Sequence, residues 1–188
     1  VYPGVEPRVI DVPVGNIDRS MGDVHPGGNP HYSHDPVRMI KVIEEVAERL
    51  SLLVPAHRSS FEANSRKLQA DLQKHIQSAQ ADFQALPEAS RRVVEYHKSW
   101  VYLFETLGVE VTRRIEPKPG ISPTPGHVAK VVSYMKRENI RVVVQENYAP
   151  VKVNQTIAKI TGSTHVILPA GTKFDDGESY LDHIKLTI

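Results

Sequence analysis

The sequence predicts an α/β protein in which a long helical spine leads into a C-terminal lobe built on a parallel sheet flanked by helices. Two observations predict it. Over residues 36–86 apolar side chains recur at three- and four-residue spacing, the period of an amphipathic helix. From residue 87 onward short Val- and Ile-rich runs alternate with helical runs of about 10–15 residues, the pattern of βαβ units. The chain has 188 residues, 40% of them apolar, enough for a packed core.

In order along the chain, residues 1–35 are rich in Pro, Gly, Asn, Asp and His and read mostly as loop, with Val9-Ile10-Asp11-Val12 as a short strand. Asp35-Pro36 is an N-cap followed by proline at the first helical position. Behind it Met39, Ile40, Ile43, Val46, Leu50 and Leu53 form one apolar stripe, predicting a helix over 36–53 that Pro55 kinks or interrupts. Phe61, Leu68, Leu72, Ile76, Ala79 and Phe83 predict a second helix ending near Leu86-Pro87, and the two together a linking rod over 36–86. In the lobe spanning 87–188, strands are expected at 92–96, 109–112, 140–145 and 165–168. Helices are expected at 98–107, 125–138, 150–161 and 178–186. Right-handed crossovers then gather the functional loops at the carboxyl ends of the strands.

Composition excludes several classes of chemistry. With 23 Lys+Arg against 22 Asp+Glu the chain lacks the basic excess of a nucleic-acid binder. It has no Cys, so disulfides, thiolate metal sites and cysteine nucleophiles are absent, and any transition-metal site must rest on His and carboxylates. No GxSxG, Walker A, GxGxxG or HExxH pattern occurs. The candidates that remain lie in three places. His25, His31 and His34 crowd a Pro/Gly-rich loop, which reads either as metal donors or as a turn whose imidazoles cap backbone groups. His97 closes the first strand, and Lys98 beside it is expected to depress the imidazole pKa. Glu146 follows the third strand at the same edge, as a functional carboxylate, a cap of the next helix or a partner for Lys152.

Several strings occur in an order that is specific as a set: Gly28-Asn29-Pro30-His31, the spine, Tyr96-His97-Lys98-Ser99-Trp100, Glu116 to Pro123, Gln145-Glu146-Asn147-Tyr148 and Gly177 to Asp182. The chain thereby resembles the zinc/manganese solute-binding proteins of metal ABC transporters, the family that includes metal-binding lipoprotein adhesins. The resemblance implies two α/β lobes joined by a rigid helix, with metal held in the cleft between them. Residues 1–35 would then be the remnant of an N-terminal lobe carrying the ligand loop. By motif, His31 and His97 match metal ligands. His rather than Glu at the second position favours zinc over manganese. Glu146 is the nearest candidate for a third ligand, because the stretch where many members supply an Asp reads Pro169-Ala170-Gly171 here. A further departure is Tyr32-Ser33-His34-Asp35 after the Asn-Pro-His string, with His34 as an extra or substitute donor.

The function so implied is capture of a cation outside the cytoplasmic membrane, by a periplasmic or extracellular protein that is lipid-anchored when full-length. It hands the metal to an ABC transporter permease, acts as a monomer and performs no covalent chemistry. The family's first lobe, with its first His ligand, is essentially missing, so the chain reads as a fragment. Two imidazoles alone predict weak zinc binding, since closed zinc sites have four ligands. The residues by themselves also leave open a metal-dependent hydrolase and an interaction module with structural histidines.

Overall fold

The computed structural model describes residues 9–188; the first eight residues of the 1–35 segment lie outside the described residues. Four parallel strands form one sheet: β1 (Arg92–Glu95), β2 (Glu110–Arg114), β3 (Val142–Glu146) and β4 (Thr164–Leu168), in the order β2-β1-β3-β4. Helices α3 (Val101–Leu107), α4 (Pro125–Arg137) and α5 (Val151–Thr161) make the crossovers, and α6 (Tyr180–Thr187) closes the chain. Successive strand residues feed opposite faces. Val94 and Val143 join Val131, Met135 and Ile157 of α4 and α5 in one core, while Val93 and Val144 join Leu103, Phe104 and Leu107 of α3 in the other. The winding therefore reverses between β1 and β3. That makes the carboxyl ends of these two strands the switch point where open α/β sheets bind ligands.

Ahead of the sheet stand α1 (Pro36–Leu53) and α2 (Arg58–Ala85). The Asp35 carboxylate caps α1, accepting from Val37 N–H at 3.3 Å. It is fully buried, and Arg38 Nη1 at 2.6 Å and the Thr106 hydroxyl at 2.9 Å satisfy it, tying the start of α1 to α3. The rod expected over 36–86 is instead two helices lying side by side. Pro55 opens a short break at residues 54–57, and α1 and α2 then make the most extensive helix–helix packing in the molecule.

This arrangement also reverses part of the expected stripe. Val42, Ala47 and Ser51 are the buried interior positions of α1, whereas Val46, Leu50 and Leu53 are exposed. Small side chains at 47 and 51 let a neighbouring helix approach closely, and the Ser51 hydroxyl donates back to Ala47 C=O at 2.7 Å rather than remaining unpaired. On α2 the expected stripe holds: Leu72, Ile76 and Ala79 are buried, and Phe83 packs on the α3 core.

The other elements follow the sequence closely. Val9–Val12 is the exception, forming no strand; its backbone is used instead by Asn29 N–H, which donates to Ile10 C=O at 2.9 Å. Helix α3 begins at Val101 rather than at 98, because residues 97–100 make the turn out of β1.

Candidate metal centre

The loop that carries His31 is built around Asn29. Gly28 precedes it at φ +90°, where a Cβ would stand 2.7 Å from Ile10 C=O, so only glycine fits. Asn29 is buried and its Nδ2 donates to Lys98 C=O at 2.9 Å. The amide oxygen must therefore accept, and it does so twice, from His31 N–H at 2.9 Å and from His31 Nδ1 at 2.7 Å. That fixes the proton on Nδ1 and leaves the Nε2 lone pair as the donor atom. The Tyr102 hydroxyl donates to Asn29 C=O at 2.7 Å and accepts from Ile10 N–H at 3.0 Å, so the loop is pinned to α3.

His97 leaves the carboxyl end of β1. Its Nδ1 is hydrogen-bonded to the Glu116 carboxylate, whose other oxygen accepts from Gly120 N–H at 2.9 Å. The second imidazole thus repeats the logic of the first: an oxygen holds Nδ1 and Nε2 stays available. The two rings stand 5.3 Å apart between centroids, with planes at 76°. A zinc–nitrogen bond of about 2.0 Å puts a ring centre about 3 Å from the metal, so two imidazoles on one tetrahedral ion have centres about 5 Å apart.

Electrostatics separates the pair. Burial, reinforced by the charges of His97 and His25, lowers the His31 pKa to about 4, so this imidazole is neutral at pH 7. The hydrogen bond to Glu116 raises His97 above its ordinary value, against the opposing effect of burial. The depression expected from Lys98 is not what occurs. Lys98 turns away to pair with Asp11 at 2.6 Å, leaving the Glu116 carboxylate as the nearest charge on the ring.

Glu146 lies at the end of β3, and continuing the Val94–Val143 and Glu95–Val144 register brings it level with His97. Its carboxylate is fully buried, and neither oxygen has a hydrogen-bond partner among the described residues. Burial pushes its pKa up, with the nearby Ser99 hydroxyl opposing. Glu95, also buried, is pushed up to about 7 by burial even though Arg114 Nε is 2.6 Å from one of its oxygens. His34 is buried against Trp100, with ring centroids 4.5 Å apart, and burial lowers its pKa to about 4. It packs as an aromatic wedge below the loop.

His31, His97 and Glu116 share a cleft of about 610 Å³ with Asp11, Asp23, His25 and Tyr148. Glu146 and His34 do not line it. Among the described residues no three His, Asp or Glu side chains already converge on one point. The structure therefore brings together His31 and His97, places Glu146 behind His97, and adds two residues that sequence reasoning did not single out for these roles, Asn29 and Glu116. Glu116 is 19 positions from its partner, and only the adjacency of β1 and β2 makes them neighbours. No helix among the described residues is long and apolar enough to cross a membrane.

The chain is similar to several known proteins. The zinc-binding lipoprotein AdcA of Streptococcus pneumoniae strain R6 is 26% identical over 173 residues, covering 89% of this chain and 34% of AdcA. The high-affinity zinc uptake system protein ZnuA of Bacillus subtilis is 24% identical over 162 residues, covering 84% of this chain and 50% of that protein. The chain thus spans between about a third and a half of these relatives. A crystal structure of ZnuA superposes with a TM-score of 0.73 at 22% identity, over 85% of this chain and 57% of that one. The SBP FpvC of Pseudomonas aeruginosa, solved in complex with Mn2+, does so with a TM-score of 0.69 at 26% identity, over 85% and 59%. Residues 4–188 match the family described as ZnuA, zinc-uptake complex component A, periplasmic, and the chain belongs to that family.

Proposed function

We propose that this chain is the metal-capturing part of a solute-binding protein of an ABC transporter. In this reading it takes up zinc, with manganese as the second choice, outside the cytoplasmic membrane and delivers it to the permease. The observation that carries the reading is the pair His31 and His97, each with Nδ1 tied to an oxygen and Nε2 left to donate. Neutral imidazole nitrogen is a borderline-soft donor that suits zinc better than manganese. Glu146 is the carboxylate of the set, held unpaired behind His97 and ready to be drawn to a cation. Support comes also from the relatives, named as a zinc-binding lipoprotein and a zinc uptake protein. The first of those names supports lipid anchoring of the full-length protein.

The chemistry is reversible coordination, with the protein acting as a monomer. Asn29 and Glu116 hold the rings so that binding costs little reorganisation, and the raised proton affinity of His97 couples release to acidification. Calorimetric titration of zinc and manganese into the chain and into His31→Ala and His97→Ala tests the reading. Loss of zinc uptake in both variants is expected, and unchanged uptake in both overturns it.

A further inference from the structure

Away from the metal cleft, positive charge gathers on one side of the lobe. The whole chain is balanced, 23 Lys+Arg against 22 Asp+Glu, yet residues 111–138 carry six Lys and Arg against two carboxylates, Glu116 and Glu138. Glu116 is turned to His97, and Glu138 pairs with Arg137 past the end of α4. A β-bulge concentrates the rest. Val93 pairs with Val111 but Val94 pairs with Arg113, so Thr112 is the extra residue and Arg113 comes round to the side that α4 covers. There its guanidinium lies over the Tyr134 ring, 4.4 Å from the centroid, with the Arg137 guanidinium 5.3 Å from the same centroid. Along α4, Val131 and Met135 are buried in the core, while His127, Lys130, Tyr134 and Arg137 recur at three- and four-residue spacing on another face. With Arg113 and Ser133 they line a groove of about 560 Å³ that shares no residue with the metal cleft.

We infer that this groove binds phosphoryl groups, taken in a row along α4. Three features select that ligand chemistry. A guanidinium stacked on an aromatic ring keeps its in-plane N–H fork for a partner, and that fork matches a phosphate bidentately. Among the described residues neither Arg113 nor Lys130 has a carboxylate within ion-pair distance, so both charges are available. The lining side chains are cations, hydroxyls and apolar groups, with no carboxylate or amide oxygen. A phosphoryl group brings acceptors and is satisfied by such a lining, whereas an acidic peptide also brings backbone N–H donors that find few acceptors there. The row from His127 to Arg137 spans about 15 Å of helix, too long for one phosphate and suited to several. His127 Nε2 donates to Arg114 C=O at 3.1 Å, which holds that ring at the β2 end of the groove. Soluble polyphosphorylated compounds and a layer of anionic phospholipid headgroups both present such a row.

The test uses the chain as it stands, metal-free and at low salt, with two phosphate probes. Tripolyphosphate is titrated by calorimetry, and phosphatidylglycerol vesicles are co-sedimented beside phosphatidylcholine vesicles. At least one anionic probe should bind, and its affinity should fall about tenfold or more in the double variant Arg113→Gln/Lys130→Gln. Each single variant should show part of that loss. Lys159→Gln, which removes the same charge from an exposed position on α5, should bind as the wild type does. Tripolyphosphate binding identifies a soluble ligand, and binding to phosphatidylglycerol vesicles alone identifies headgroups. Both Arg113 and Lys130 are exposed, so far-UV circular dichroism should show the wild-type fold in every variant. Zinc affinity should also be unchanged, because the groove and the metal cleft are separate. Failure of both phosphate probes to bind, or equal losses in Lys159→Gln and the double variant, overturns the proposal. So does oligoglutamate binding as tightly as the phosphate probe, which would make an acidic peptide the occupant.

Discussion

The rings of His31 and His97 face each other 5.3 Å apart at 76°, although one sits before α1 and the other in the turn after β1, 66 positions later. Neither residue holds itself there. Asn29 positions the first ring and Glu116 the second, each through Nδ1.

If Asn29 selects the His31 tautomer, Asn29→Ala should weaken zinc binding about 10- to 100-fold, the usual cost of losing an outer-shell partner. The same substitution removes the Asn29 donor to Lys98 C=O, so some loss of thermal stability should accompany it. Competition titration alongside thermal melting separates the two effects.

Glu116→Gln should lower the His97 pKa, because the largest influence raising it is that hydrogen bond. The His97 imidazole resonance followed by NMR from acid to mildly alkaline pH should show its midpoint move downward. An unchanged midpoint would mean that Glu116 does not set the protonation of the ring.

His34 gives a pH dependence of stability with a definite sign. Its folded pKa of about 4 lies below the ordinary 6.5, so between those values the unfolded chain binds more protons than the folded one. Its contribution is complete above pH 6.5 and is lost as pH falls toward 4, amounting to about 3 kcal/mol. His34→Phe, which keeps the ring against Trp100, should flatten the urea-denaturation midpoint over that window.

Side-by-side packing of α1 and α2 predicts that Ser51→Leu is not tolerated. Ser51 is buried beside Ala47, and forcing a larger side chain there should cost about 1–3 kcal/mol. Leu52→Ser, at an exposed position on the same turn, should cost far less. Equal costs in chemical denaturation would contradict the helix pairing.

The sheet was legible because its signals are local. Each Val/Ile run and each helical period occupies consecutive residues, so the parallel α/β lobe and the positions of His97 and Glu146 at strand ends could be read directly. The α1 stripe misled for a physical reason. Val46, Leu50 and Leu53 have the period of a buried face, but the buried positions of this helix include the small residues Ala47 and Ser51. Periodicity reports that a face is apolar, not which neighbour covers it. The Lys98 effect on His97 failed similarly: adjacency along the chain does not determine which charge faces a ring, and Asp11 draws Lys98 away. The Glu116–His97 bond needed the strand order, which no spacing along the chain encodes.

Joint coordination of one metal ion by His31 and His97 is what the proposed function stands on. Zinc titration of the wild type, the two single alanine variants and the double variant measures it most directly. The wild type should bind one equivalent of zinc, and each single variant should lose about tenfold or more in affinity. The double variant should be scarcely worse than either single one, because the two residues act on one ion. Zinc bound at wild-type affinity by both single variants, or losses that add as for independent sites, would contradict it.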